Sequence, residues 1–376
     1  IGSIIKKLEG KTEAHPAALL AQLLCAYGNA LGVNPHFKVG PSEHRCGIYM
    51  CVVGSTAKAR KGLSWGIVKH FMSGIDKDWT QENIQSGLSS SEGLIFKLSN
   101  QIETSKDPRM LVIETEFASV LLQSKRNGNT LSSTLRDAWD GAKLQTLTKS
   151  DPILAEGYHF SIVSHITKVE LDKLMSEEDK YNGLANRFLW VFAERTILIS
   201  NPDTIDLGEY SNEIKALKRS LNKFYKKTDI LFSKEAIEVW DRMYHELSST
   251  GEVLVDAVNS RDESYLRRIA MIYAIADDSI TIKTKHLESA LAFIEYAKAS
   301  TNYIFGGSVL SKKEQKLFDA IKNNSDGYSR TQAFKLFNNH VKADELNKLL
   351  SKLEDMNLIS SQTNKDDDSN VLHYAN

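Results

Sequence analysis

Residues 47–64 read Gly47-Ile-Tyr-Met-Cys-Val-Val-Gly54-Ser-Thr56-Ala-Lys-Ala-Arg60-Lys61-Gly62-Leu-Ser64. An apolar run ends at Gly54, a loop of small residues and cations follows, and helical periodicity takes over across residues 65–73. The run has the length and composition of a buried strand, and the glycine at its end marks a tight turn. A buried strand that feeds a helix through such a loop is the layout anion binding requires. Backbone N–H groups in the turn and at the helix N-terminus point at the anion, and a lysine or arginine completes the cradle. Working outward, residues 110–114 (MLVIE), 160–165 (FSIVSH) and 188–192 (FLWVF) are further short apolar runs, while residues 15–31 and the stretch from Phe117 read as helices. Buried strands alternating with helices indicate an α/β layer with a largely parallel sheet.

The loop admits two registers. A P-loop has six residues from its first glycine to its lysine, which lands on Arg60 and puts Lys61 where a Ser or Thr normally holds Mg²⁺. A one-residue insertion makes Lys61 the phosphate lysine and leaves Ser64 as the metal-side hydroxyl. Gly54, Thr56, Arg60, Lys61, Gly62 and Ser64 are the candidate ATP-binding set, and a solvated basic turn is the plainer reading. Residues 109–117 (RMLVIETEF) have the Walker B pattern. Glu114 at the strand end would serve the Mg²⁺–water shell, and Glu116 would orient the attacking water, sharing a face with Glu114 if the strand continues. The other reading is a strand end followed by a charged turn. In residues 87–95 (GLSSSEGLI), Glu92 is either a base for the lytic water or the cap of the helix that starts there. His165 closes FSIVSH as a γ-phosphate sensor or a hydrogen-bonded strand end. Arg187 is an arginine finger or a structural ion-pair partner. The order of these features along the chain is that of RecA-like hexameric motors.

The runs GLSSSEGLI, LVIETEFASVL, RNGNTLSSTLRDAWDG, LQTLTKS, FSIVSHIT and NGLANRFLWVFAER resemble a family of uncharacterised P-loop proteins carried by phages, prophages, plasmids and other mobile elements, as do SRDESYLRRIAMIYAI and HLESALAFIEYAKASTNYIFG. The resemblance covers roughly residues 15–306. In that family an N-terminal primase–polymerase domain is often present, and the core is similar to RecA-like plasmid replicative helicases. It implies an ATP-dependent replicative DNA helicase or motor, with ATP and Mg²⁺ as cofactors and single-stranded DNA as partner. It also implies a primase or initiator partner, and a hexameric ring that is monomeric when dilute. It implies that Lys61 or Arg60 meets the phosphates, Glu92 is the catalytic glutamate, Glu114 the Walker B acid, His165 the sensor and Arg187 the finger. This chain departs from the pattern in lacking Gly-Lys-Ser/Thr and in ending Walker B on Glu rather than Asp. A non-hydrolysing initiator or loader, and a metal-dependent nuclease using Glu92, Glu114 and Glu116 as ligands, are the rival readings. Arg126, Asn129, Arg136, Trp139 and Lys149 fall where channel loops of such motors bind a strand backbone; otherwise they are a solvated basic surface with Trp139 in the core.

Charge supports only local nucleic-acid contact: Lys+Arg 47 against Asp+Glu 48 leaves a net charge of −1. Three cysteines, Cys25, Cys46 and Cys51, form no even disulfide set, which fits a reducing, cytoplasmic setting. Cys46 and Cys51 have no second Cys/His pair at zinc spacing. No apolar run approaches the roughly 20 residues of a membrane helix. The chain begins at Ile1 rather than Met, so further sequence is expected upstream. The pattern divides the chain into a RecA-like P-loop core with an N-terminal helix (1–200), a helical domain (201–306) and a winged helix-turn-helix (307–376), with Gly306-Gly307-Ser308 as linker. The last part shows three short helical patterns and a polar hairpin, 359–374. Its wing, Lys365-Asp-Asp-Asp-Ser369, is acidic and unsuited to phosphate, so the module contacts DNA elsewhere or docks on a protein.

Overall fold

The computed structural model describes residues 1–55, 59–147, 152–176, 179–180, 182–247, 257–306, 312–324, 327–338, 340–355, 358–364 and 367–375. The chain forms two compact units, Ile1–Gly306 and Gly307–Asn376. The first is built on five strands: β1 (Tyr49–Gly54), β2 (Ile84–Gln85), β3 (Arg109–Glu114), β4 (His159–Thr167) and β5 (Leu189–Phe192). They lie in the order β2-β3-β4-β1-β5 and every pairing is parallel, a Rossmann-like α/β arrangement. All of β1 is buried, as is β4 up to Ile166. A strand covered on both faces has no reason to alternate, which is why these segments read as continuous apolar runs.

Seven helices matter for the site: α1 (Pro16–Ala30), α2 (Lys61–Ile75), α3 (Ser91–Ser105), α4 (Phe117–Ser124), α5 (Leu131–Asp140), α6 (Asp262–Ala276) and α7 (Thr284–Thr301). α1 starts with proline in its first turn, where no N–H is needed, and His15 accepts the Ala17 N–H. It is buried along most of its length. From it the Asn29 amide donates to the carbonyls of Met110 and His159, tying the helix to β3 and β4.

Residues 201–306 are not a unit of their own. On α6, Tyr265, Leu266, Ile269 and Ile272 are fully buried in the same core as the sheet. The Tyr265 hydroxyl bonds the Arg187 carbonyl at 2.5 Å, and Arg268 donates to the Gly47 carbonyl at 2.7 Å. An amphipathic helix read alone looks like a separate domain, but its apolar face here is the cover of the strands. One strand end differs from the sequence reading: β4 continues through Ile166 and Thr167, so His165 lies within it, whereas β3 ends at Glu114 as read.

The connections place a crevice. From β1 the chain crosses to β2 at one edge; from β4 it crosses back past β1 to β5 at the other. Right-handed crossovers then leave β1 and β4 on opposite faces, and their C-terminal ends form a topological switch point, where open α/β sheets take ligands.

The second unit comprises α8 (Lys312–Lys322), β6 (Tyr328–Ser329), α9 (Arg330–Leu336), α10 (Ala343–Asp355), β7 (Ile359–Asn364) and β8 (Asp367–Ala375). Its antiparallel sheet has the order β6-β8-β7. Leu317, Ile321, Ala333, Leu346 and Leu353 make its core. Ser329 and Gln332 close a capping box at the start of α9. Among the described residues no helix is long and apolar enough to cross a membrane.

Candidate nucleotide site

At Gly54 an added Cβ would stand 2.3 Å from the Ala193 carbonyl oxygen and 2.7 Å from the Ala59 Cβ, so only glycine lets the chain turn here. The loop returns through Arg60, a left-handed residue at φ 51°, into α2. Thr56 lies outside the described residues. Lys61, the first residue of α2, donates from Nζ to the carbonyls of Ser55 (2.8 Å) and Gly54 (3.4 Å). Burial pulls its pKa below the ordinary lysine value, while the Cys51 thiol, Glu170 and Glu194 act the other way. Its ammonium thus sits over the C-terminal ends of β1 and β4.

Arg60 turns elsewhere. Its Nε donates to Glu13 at 2.7 Å, and Glu13 also takes Arg195 and the Ile199 N–H. Of the two cations, then, Lys61 is the one at the end of β1, the residue that the inserted register makes the phosphate lysine. Ser64 does not take the metal-side place that register gave it. It is buried, gives its proton to the Lys61 carbonyl (2.7 Å) and accepts from the Gln22 amide (2.7 Å), fastening α2 to α1. Gly62, by contrast, is exposed in the first turn of α2 with nothing within 4 Å of its would-be Cβ. The N–H groups of such a turn have no intrahelical partner.

Of the three acids, only Glu114 is at the strand ends. It is buried, and its Oε1 accepts the Leu88 N–H at 2.7 Å. Burial raises its carboxyl pKa against the pull of the Leu88 and Gly87 N–H groups. In register with Ser164 of β4, it shares a sheet face with that residue and with Cys51 of β1. Glu116 does not share the face, because β3 ends first. It is exposed at the start of α4 and makes no capping bond. Glu92 is exposed in the first turn of α3; the cap is Ser90, whose Oγ accepts the Gly93 N–H at 3.1 Å. Among the described residues no three His, Cys, Asp or Glu side chains stand close enough to hold a metal.

His165 pairs with Val52 in register. It is buried, and its Nε2 has no hydrogen-bond partner. Burial, with the nearby Lys61 charge, pushes its pKa down to about 4, so the ring is neutral at pH 7. Arg187 stands just before β5, at the opposite end of the sheet from Lys61. Its guanidinium pairs with Asp140 at 2.5 Å and donates to the carbonyls of Arg136 (3.1 Å) and Gly183 (2.8 Å). This buried, fully engaged arrangement is the structural ion pair rather than an aimed finger. Arg136 is likewise spent on the Asn182 carbonyl (2.6 Å). Trp139 is in the core, donating to the Tyr265 hydroxyl (2.9 Å). Arg126 is exposed in the turn after α4. Lys149 lies outside the described residues.

Two groups at the loop escaped the sequence reading. Glu194 accepts the Ser55 N–H at 3.3 Å, and Gln22 anchors Ser64. Glu194 was signalled only by its place just past a buried strand; Gln22 carried no signal at all. Beside the start of α2 lies a cavity of about 670 Å³ walled by Arg60, Gly62, Leu63, Ile67, Ile199 and Ile205. No protein-family model matches the chain, and no curated protein matches it.

Proposed function

We propose that the unit Ile1–Gly306 is a RecA-like P-loop nucleotide-binding core that takes ATP with Mg²⁺ and serves as the ATPase motor of a mobile-element replicative helicase. The observation that carries this reading is Lys61, half-buried over the C-terminal ends of β1 and β4 at the switch point of an all-parallel sheet. Its Nζ would exchange two neutral carbonyls for the β- and γ-phosphates, while the free N–H groups at the start of α2 cradle the same anion. Mg²⁺ would neutralise phosphate charge, with Glu114 at the C-terminal end of β3 as the acid to serve its water shell. The neutral His165 ring, with an unused Nε2, supplies a polar contact below the phosphates. The apolar walls beside Gly62 suit a nucleobase.

Single-stranded DNA as track, and assembly into a ring, rest on the resemblance and on the exposed Arg126. The second unit, three helices with an antiparallel hairpin, fits a winged helix that binds duplex DNA or a protein partner. One observation favours a second reading, a nucleotide-binding loader without turnover. Ser64 is committed to Gln22 and Glu92 is exposed on α3, so neither stands ready for hydrolysis. Calorimetry with MgATP, followed by phosphate release with and without single-stranded DNA, separates the two. DNA-stimulated release supports the motor, binding without release supports the loader, and no binding removes both.

A further inference from the structure

At the end of the sheet remote from Lys61 lies a second cavity, of about 190 Å³, where β1 and β4 begin. Arg45, Gly47, Trp139, Tyr158, His159 and Arg268 are among its walls. Arg268 is buried, its guanidinium carbon 3.9 Å from the centre of the Trp139 ring. It donates to the carbonyls of Gly47 (2.7 Å) and Trp139 (3.4 Å), and its Nε has no partner. A guanidinium carries five N–H donors, and one left buried and unmatched costs about 1–3 kcal/mol. Arg45 donates to the Tyr158 carbonyl at 3.1 Å. No carboxylate among the described residues forms an ion pair with either arginine. Asp140 and Glu43 also line the cavity, but each is paired elsewhere, Asp140 with Arg187 and Arg261 and Glu43 with Lys227, and Asp140 acts on Arg268 only through its field. The surroundings are electropositive enough to act on neighbouring rings. Burial together with Arg268, Arg267 and Arg261 drives His44 down to about 4.

We propose that this cavity is an oxyanion site that takes one phosphate group, free or carried in a nucleic-acid backbone, between the guanidiniums of Arg45 and Arg268. Planar forks with unused donors suit phosphate oxygens, and the cavity offers two of them, neither in an ion pair with a carboxylate among the described residues. The site is separate from the loop at Gly54 and does not depend on the nucleotide reading.

The test uses the full chain carrying Lys61→Ala, so that the loop contributes no phosphate binding. Inorganic phosphate is titrated against chloride at constant ionic strength and followed by calorimetry and thermal unfolding. Saturable binding is expected, with a rise in Tm. Arg45→Gln, which can still donate to the Tyr158 carbonyl, should weaken phosphate at least tenfold and leave the phosphate-free Tm unchanged. Arg268→Gln should weaken phosphate likewise, at a lower phosphate-free Tm because it gives up bonds to the Gly47 and Trp139 carbonyls; if it does not fold, Arg45→Gln decides alone. No saturable binding by 20 mM phosphate (roughly the weak end for a two-arginine site), or equal affinity in Arg45→Gln, overturns the proposal. A labelled oligothymidylate separates the sources. Its weakening by Arg45→Gln assigns a strand phosphate, and its indifference alongside lost phosphate binding assigns a free one; either upholds the site.

Discussion

Replacing Lys61 with alanine is the sharpest probe of the nucleotide site, because binding and stability should part company. Among the described residues Nζ holds two carbonyls, Ser55 at 2.8 Å and Gly54 at 3.4 Å. Both acceptors are neutral carbonyls in a partly buried setting, and the Gly54 bond is long, so their loss should cost about 1 kcal/mol. Against a triphosphate the same ammonium would make charge-assisted bonds in a half-buried setting, and truncating such a partner costs about 3–4 kcal/mol. That corresponds to a weakening of about 10²- to 10³-fold in Kd. Calorimetry with a non-hydrolysable ATP analogue reads the first effect and denaturant unfolding without nucleotide reads the second. Arg60→Ala is the internal control. It breaks the pair with Glu13 and should leave Kd within about threefold, since its charge serves the Arg195–Glu13 cluster rather than the loop. If Lys61→Ala binds the analogue within about threefold of the parent, or if Arg60→Ala is the variant that loses it, the placement of the phosphate lysine is wrong.

Arg187→Met should destabilise the fold by about 1–3 kcal/mol, because it leaves two carbonyls without their donor and Asp140 with Arg261 alone; mixing it with Lys61→Ala subunits should restore no ATPase, and recovery in that mixture would reinstate a finger acting across subunits. Stability should also respond to acid. His159 and His165 are held at about 3 and about 4, below the 6.5 of the unfolded chain. The native state therefore binds fewer protons, and stability falls as pH drops from about 6.5 toward 4, by about 1.4 kcal/mol per unit for each ring. His165→Leu should flatten the slope by about that amount, measured by denaturant unfolding at pH 6.5, 5.5 and 4.5. Asp262 acts oppositely: burial raises its pKa to about 7, so it favours the fold as pH falls below that value, and Asp262→Asn should steepen the parent's acid loss over the same series. A chain ending at Gly306 should keep a cooperative thermal transition, since each unit has its own apolar core; loss of that transition would refute the division.

The sheet was legible because burial on both faces writes itself as short apolar runs, and Gly54 was legible because a tight turn needs glycine. Strand ends were less so. Ile166 and Thr167 are β-branched and simply extend β4, which carries His165 into the strand interior. What the sequence could not disclose was partnership across long separations. Arg60 and Ser64 are indistinguishable from loop ligands until Glu13 and Gln22, 47 and 42 residues away, are seen to hold them. The same holds for Arg187, whose guanidinium is claimed by Asp140 and by the Arg136 carbonyl, both on α5. A helix such as α6 discloses its apolar face but not which layer that face covers.

Glu114 has a consequence of its own. Its carboxylate holds the loop before α3 through the Leu88 and Gly87 amides. Any cation that draws on that carboxylate competes with those amides, so occupancy at the strand ends and the set of this loop are thermodynamically reciprocal: whatever tightens one must weaken the other by the same factor. The loop runs straight into α3, which carries the exposed Phe96. A neighbour gripping that helix would therefore tune the acid from outside the crevice, without touching the nucleotide.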